Sequence, residues 1–156
     1  MIRISAAVIA AALLVGLPAA VRAGDDAARM VTRVNAARAE HGLAPIAIDL
    51  RLTRAAQSHA EAMAAGGALF HDGADGTLTE RMARVGYAFA VVAEDVGGGT
   101  AGPEETVAVW LQSPRHARNL LLPEVRHAGI GHARAAPGKT AYSDYWSIVL
   151  AKPAEP

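Results

Sequence analysis

The sequence predicts a mixed α/β domain in which helices cover both faces of a central sheet. One observation is the recurrence of apolar residues at helical spacing in several segments that begin with capping residues or end at glycines. Another is the segment AYSDYWSIVLA near the carboxyl end, which carries a near-continuous apolar run. Strands of this kind are buried on both faces, and helices are their usual cover.

Five helices are predicted from these patterns. The expected starts, in chain order, are Asp25, Asp49 as an N-cap, the TLTE capping box at Thr77, Pro103 followed by two acids, and Ser113 followed by a proline. The first two helices run to about Glu40 and Ala65, where glycines follow. Helical spacing places Leu52, Ala56, His59 and Met63 on one apolar stripe of the second helix.

The strands are expected in the second half of the chain. One runs from Tyr87 to about Glu94 and is followed by the glycine-rich loop GGGTAG. The segments RHAGIGHARA and AYSDYWSIVLA are expected to pair with each other. LAPIAIDL, between the first two helices, reads as an extended connector because Pro45 disfavours a helix at the residue before it.

The first 23 residues are predicted to form a secretory signal peptide. They contain Arg3, then an apolar run, then the small-x-small pattern VRA before a glycine. The apolar run is short for a membrane span of roughly 20 residues, so we expect no membrane anchor after cleavage. The chain then divides into a signal at 1–23, one domain over 24–152 and a loose tail over 153–156. The protein is expected to be exported, to a periplasm or to the medium.

Composition excludes several functional classes. Cleavage removes Arg3 and Arg22 but no acid, so 15 basic and 15 acidic residues become 13 and 15. A nucleic-acid partner is not expected, because such binders usually carry a basic excess. The chain has no cysteine, which rules out disulfides, a thiolate nucleophile and a cysteine-ligated metal within it.

Three polar residues stand where polar side chains are awkward. His71 follows Leu69 and Phe70, Glu94 ends an apolar strand, and His116 lies in the first turn of the last helix. Such groups are seldom buried unless they are paired. Two imidazoles and one carboxylate can satisfy one another, or can hold Zn²⁺ or another divalent cation with a position open for water.

The charge state of His116 stays open from the sequence alone. The amino end of a helix disfavours imidazolium and so favours the neutral ring. A nearby Glu94 carboxylate would favour the cation instead. A neutral His116 would be a ready metal ligand or hydrogen-bond partner near neutral pH.

The other four histidines have plainer interpretations. His41 lies at a helix C-terminus, where a cation is favoured. His59 lies on an apolar stripe and is expected to be a satisfied core residue. His127 and His132 are five residues apart on one strand, so they point to opposite faces and cannot form one site.

Seven stretches of the sequence together resemble a known family. They are LTRAAQSHAEAMA, FHDGADG, RMARVGY, AEDVGGG, VWLQSPRHARNLL, AGIGHA and YWSIVLAKP, in this order over about residues 28–152. The order and spacing resemble bacterial members of the CAP superfamily (SCP-like domains), which includes cysteine-rich secretory proteins, antigen 5 and plant pathogenesis-related proteins. The resemblance implies an α-β-α sandwich with a central, mainly antiparallel sheet and a solvent-facing cleft.

The resemblance also implies which residues line that cleft. In the family two histidines and two acids do so, and here His71, Glu94 and His116 take three of the four places. The second acid falls near Ser113, so the tetrad is incomplete. The implied ligand-binding residues are His71, Glu94, Ser113 and His116, and the implied metal ligands are His71, Glu94 and His116.

Two neighbours of these residues depart from the family pattern. Asp95 stands where the family usually has Asn, and Arg115 stands where it usually has Gly. The arginine adds a positive charge beside the cleft.

The resemblance implies a secreted, monomeric, non-catalytic binding module for a cell-envelope lipid, glycan or peptide, or for a divalent cation. No G-x-S-x-G, H-E-x-x-H or cysteine supplies an activated nucleophile. The alternative is a metal-assisted extracellular hydrolase in which zinc at the same residues lowers the pKa of bound water to about 7. A third hypothesis is structural: His116 is a buried partner of Glu94, and His116→Ala then destabilises the fold by about 1–3 kcal/mol.

Overall fold

The computed structural model describes residues 19–138 and 140–155. The helices are α1 (Ala19–Glu40), α2 (Leu50–Gly66), α3 (Leu78–Arg84), α4 (Pro103–Gln112) and α5 (Pro114–Leu120), and the strands are β1 (Ala47–Ile48), β2 (Phe89–Gly98), β3 (His127–Arg134) and β4 (Asp144–Pro153). The predicted α/β class is therefore confirmed. Most of the predicted signal peptide lies outside the described residues, so its cleavage stays a prediction.

The sheet has the order β1-β3-β4-β2 and is mainly antiparallel. β4 pairs antiparallel with both β2 and β3, whereas the two-residue β1 runs parallel to β3. The expected pairing of the two C-terminal strands is thus confirmed. The segment expected to be only an extended connector also supplies β1, since Ala47 and Ile48 pair with the start of β3.

Strand β4 lies at the centre because its residues are apolar on both faces. Trp146, Ile148 and Leu150 pack with α1 and α4 residues on one side. Val149 and Ala151 pack on the other side with residues of α2 and α3. This alternation produces the sandwich, as expected for a strand that lacks a polar face.

Local capping signals place α2 and α3 where they were predicted. The Asp49 side chain accepts hydrogen bonds from the backbone N–H groups of Arg51 and Leu52. Thr77 and Glu80 form the predicted capping box at the start of α3. α2 can lie close against β3 because Gly129 and Gly131 face its backbone, where a Cβ atom would collide with the main chain of Leu52 or Ala56.

Strand β2 is longer than predicted and includes two glycines that were assigned to a loop. Gly97 and Gly98 pair with Trp146 and Tyr145 of β4. A Cβ atom at Gly97 would make a tight contact with the Trp110 ring, so the glycine eases the passage of the strand beneath that ring. Among the described helices, none is both long and apolar enough to cross a membrane.

Candidate functional site

Glu94 lies on β2, and both of its carboxylate oxygens already have partners. Its side chain is only 2% exposed. Oε1 accepts a hydrogen bond from Nη2 of Arg81 at 2.7 Å. Oε2 lies 3.0 Å from Nδ1 of His71, which donates to it. The predicted contact between His71 and Glu94 is therefore present, and a buried guanidinium is added to it.

Arg81 was not identified as a site residue from the sequence. It is buried on α3, and its Nη1 donates to the backbone carbonyls of His71 and Gly76 at 3.0 and 2.8 Å. The side chain thus fixes both the carboxylate of Glu94 and the backbone that carries His71. One signal was present: Arg81 follows Leu78 by three residues, which places it on the apolar face of α3.

His59 forms an inner layer behind the predicted residues. Its Nε2 lies 2.8 Å from the carbonyl of Phe70, which can only accept, so this nitrogen carries a proton. Its Nδ1 lies 2.7 Å from Oδ2 of Asp75, and the pair shares one further proton. His59 is a satisfied core residue, as expected, but its Nε2 is also 3.6 Å from Oε2 of Glu94.

The buried charges of this inner layer balance. The two acids, Asp75 and Glu94, are matched by Arg81 and by the proton that His59 shares with Asp75. Paired and hydrogen-bonded charges of this kind can be tolerated in a protein interior, whereas a single unpaired one is very costly. The carboxylate of Glu94 is thus part of a neutral buried network.

His71 links this network to solvent. Its side chain is 46% exposed, and Nδ1 is held by Glu94. The hydrogen bond with Glu94 raises the pKa of His71, while partial burial and the charge of Arg115 act in the opposite direction. The net shift is upward, so the ring is protonated over a wider pH range than a free histidine, with Nε2 not engaged by Glu94.

His116 lies on α5 and does not pair with Glu94, contrary to the structural hypothesis. Its Nδ1 is shielded from solvent and has no hydrogen-bond partner in the part of the chain that the structure describes. The ring centroid lies 6.4 Å from that of Trp110. The donors that Glu94 does have in the structure are Arg81 and His71.

The surroundings of His116 favour its neutral form. Burial lowers its pKa, and the positive charges of Arg115 and His71 lower it further. The question left open by the sequence is therefore answered in favour of the neutral ring. The two predicted histidines differ in character, because His71 favours the cation and His116 favours the neutral form.

Ser113 joins α4 to α5 and is the N-cap residue of α5. The predicted N-cap position is confirmed, although the side chain makes no capping hydrogen bond. The side chain is partly buried at the junction. Its predicted place at the ligand site stays a prediction.

Asp95 and Asn119 connect α5 to β2. Nδ2 of Asn119 donates to Oδ1 of Asp95 at 2.7 Å and contacts the carbonyl of Glu94 at 3.3 Å. Asp95 is fully buried, and this burial raises its pKa to about 7. Its Oδ2 has no partner within the described residues. Asn119 therefore fastens the helix that carries His116 beside Glu94.

These contacts do not fit a resident divalent cation. Within residues 19–138 and 140–155, no three His, Cys, Asp or Glu side chains are grouped so as to hold a metal ion. A metal at Glu94 would lie beside the buried guanidinium of Arg81, and that positive charge would repel it. Zinc at His71, Glu94 and His116 stays a prediction, one that the contacts of Glu94 do not favour.

The remaining histidines have structural partners. His41 is exposed just beyond α1, and its Nδ1 lies 2.8 Å from the carbonyl of Ala37. His127 meets the Tyr87 hydroxyl at 2.7 Å, while His132 stacks on Trp146 and bonds to Asp144. The last two thus point to opposite faces, as predicted.

One open hollow of the described structure is separate from these residues. It has a volume of about 570 Å³ and lies between the end of α2 and the segment after β3. Its lining is largely alanine and glycine, with Glu61 and Arg134 as its charged members. None of the predicted site residues belongs to it.

The fold defines a class of α-β-α sandwich domains with a mainly antiparallel sheet. The sequence pattern described as the cysteine-rich secretory protein family, CAP, matches residues 31–150. This match covers most of the chain, so the protein belongs to the CAP family. The resemblance seen in the seven sequence stretches is confirmed.

Individual relatives agree with this assignment. The chain is 29% identical over 108 residues to the uncharacterized protein YkwD of Bacillus subtilis (strain 168). The aligned region covers 69% of this chain and 42% of that protein. An extracellular protein with an SCP domain from Bacillus anthracis str. Ames has a TM-score of 0.73 at 22% identity, covering 83% of this chain and 41% of that one. The chain therefore spans less than half the length of either relative.

A structure of similar length is also similar in fold. An outer surface protein from Borrelia burgdorferi has a TM-score of 0.73 at 19% identity, covering 83% of this chain and 94% of that one. At 19% identity this similarity is evidence for the fold alone. The predicted sandwich architecture is confirmed by it.

Proposed function

We propose that this protein is an exported CAP domain that acts as a non-catalytic binding module. The ligand is received at the cluster formed by His71, Glu94, Ser113 and His116, called the cleft cluster below. The observation that carries the proposal is Nδ1 of His116, which is shielded from solvent and unbonded within the described chain. Polar atoms in such positions are nearly always satisfied in native proteins, by protein, water or ligand.

The residues of the cleft cluster have different roles, and these roles support ligand binding. Glu94 is committed to Arg81 and His71, so it holds the cluster in shape. The exposed edge of His71 is the polar surface open to a ligand, and Nδ1 of His116 is a buried polar atom beside it that the described residues leave unbonded. A site whose polar groups are fixed by packing and second contacts is preorganised for a ligand.

The alternative, metal-assisted hydrolysis, has less support. It needs a carboxylate that can hold zinc or move a proton, whereas Glu94 is buried and forms an ion pair with Arg81. If hydrolysis occurred by that mechanism, a chelator and His71→Ala would each abolish it.

Export rests on two features. The N-terminal 23 residues have the layout of a secretory signal, and two structural relatives are described as an extracellular and an outer surface protein. An exported monomer would meet the lipids, glycans and peptides of the cell envelope. These are the ligand classes to examine first.

The test is a binding screen that is read at individual histidines. The protein is labelled at histidine, and NMR spectra are recorded while envelope lipids, glycans and peptides are added. We expect at least one class to shift the resonances of His71 and His116 saturably, with His41 unchanged. His116→Ala should abolish binding, and His41→Ala, a change at an exposed and distant histidine, should leave it intact.

Two results would contradict the proposal. One is a screen in which no ligand class moves His71 or His116. The other is a ligand whose affinity drops equally in His116→Ala and His41→Ala, which would place the binding surface elsewhere.

A further inference from the structure

The cleft cluster and the inner layer behind it contain two acids, Glu94 and Asp75. The side that faces solvent nevertheless carries mainly hydrogen-bond donors. Glu94 and Asp75 are enclosed and neutralised by Arg81 and by the proton on the His59–Asp75 pair. Their negative charges are balanced within the buried network. What a ligand meets is therefore set by the exposed groups around this network.

The exposed groups are mostly nitrogen donors. His71 is half exposed and uses only Nδ1 for Glu94, so Nε2 is left over. Arg115, the chain neighbour of His116, is exposed at the start of α5. Arg115 precedes Asn119 by one helical turn, so it lies on the side of α5 that Asn119 fastens to Glu94 and Asp95 of β2.

Few acidic side chains offset the positive charge on the exposed side of the cleft cluster. Asp95 is wholly buried and turned to Asn119, so it does not line the exposed side. Asp72, which follows His71 on the loop, is exposed and offsets part of the positive charge. Arg115 and His71 together outweigh it.

We infer that the exposed side of the cleft cluster binds an anionic oxygen group, a phosphate or a carboxylate, through Arg115 and the two histidines. This inference rests on the proposed function and names its ligand class. Guanidinium and imidazole N–H groups are the donors that recognise such anions, and hydrogen bonds between charged partners are the strong ones. A glycine at position 115, as is usual in the CAP family, would leave the site without the permanent positive charge of Arg115.

The test uses two probes that distinguish a free anion from a lipid headgroup. Inorganic phosphate is titrated into histidine-labelled protein at constant ionic strength. In a second arm, phosphatidylglycerol vesicles are compared with phosphatidylcholine vesicles in a sedimentation assay. We expect saturable binding in at least one arm, with shifts at His71 and His116 in the phosphate arm if the group is recognised free.

Two variants locate the binding site. Arg115→Gln should weaken binding roughly tenfold, the loss expected for one charge-assisted contact. Arg118→Gln changes the same charge on the same short helix, at an exposed residue whose charge is not among those acting on the cleft cluster, and should leave binding within about twofold. Both substitutions are at the surface, so folding is preserved.

Each outcome decides the matter. Binding in either arm that is weakened by Arg115→Gln alone supports the inference. Binding in neither arm, or an equal loss in the two variants, overturns it. If a neutral glycan or peptide shifts His71 and His116 while neither anion binds, this inference fails and the proposed function stands; if nothing shifts them, both fail.

Discussion

Arg81 and Glu94 form an ion pair in which both side chains are almost completely buried, with Nη2 and Oε1 2.7 Å apart. The two residues come from α3 and β2, and the same arginine also holds the backbone of His71. The acid expected at the centre of the cleft is thus bound internally before any ligand arrives. Several expectations about stability and titration depend on this pair.

Removing the arginine should destabilise the fold strongly. Arg81→Met leaves the Glu94 carboxylate buried without its main partner, and breaking one side of a buried pair costs about 3–5 kcal/mol. Chemical denaturation at pH 7 measures the loss in the free energy of unfolding. Arg84→Met, at an exposed arginine of the same helix, is the control and should cost less than about 1 kcal/mol. Similar losses for the two variants would show that the buried pair contributes nothing special.

Replacing Asp95 by asparagine should stabilise the protein at alkaline pH. Burial raises the pKa of Asp95 from 3.8 to about 7, so the folded state prefers the protonated acid. Its ionisation lowers stability as pH rises from about 4 to 7, and the full loss is present above 7. Asp95→Asn removes this loss, which corresponds to about 2–4 kcal/mol at pH 8.

The pH dependence distinguishes this effect from a general gain in packing. The advantage of Asp95→Asn should shrink as pH falls to about 4 and below, because the unfolded state then also takes up a proton at this acid. Asp72→Asn, at an exposed acid nearby, should show little advantage at either pH. A variant that is equally stabilised at pH 4 and pH 8, or less stable at pH 8, would contradict the assigned burial cost.

The pKa values of the two histidines of the cleft cluster should be shifted in opposite directions from the ordinary histidine value. The hydrogen bond with Glu94 raises the pKa of His71 above 6.5, and burial lowers the pKa of His116 below it. Because Arg115 lowers both values, Arg115→Gln should move both pKa values upward. NMR titration of the ring protons measures the three effects, and coincident titration of the two rings would be inconsistent with the described geometry.

His116→Ala should cost little stability. The ring makes no hydrogen bond to Glu94, and its Nδ1 lacks a partner among the described residues, so its removal leaves no buried acid unpaired. We expect a loss of about 1 kcal/mol or less in the free energy of unfolding, measured by denaturation. A loss as large as that of Arg81→Met would mean that His116 supports the fold rather than a ligand.

Features fixed by local interactions were predictable from the sequence. The cap at Asp49 and the capping box at Thr77 depend on residues within one helical turn. The apolar run of β4 also placed it at the centre of the sheet. His71 and Glu94 could be paired because each stood beside an apolar stretch that had to be buried.

Features fixed by contacts between distant segments were missed. The end of β2 was assigned to a loop because its glycines are turn-like, yet they are needed where Trp110 and Tyr142 lie against the strand. Arg81 was overlooked because an arginine on a short helix is usually solvated. Without Arg81, His116 seemed the natural partner for Glu94, and that pairing was wrong.

Zinc calorimetry is the most direct measurement on the cleft cluster. Zn²⁺ is titrated into the protein at pH 7.5, with His116→Ala in parallel. Because the described residues contain no group of three metal-ligating side chains and a buried guanidinium lies against Glu94, we expect no stoichiometric binding in either protein. One zinc bound per chain, lost in His116→Ala and lost again at pH 5.5, would contradict this expectation and would restore the metal-assisted hydrolase as the better account of the site.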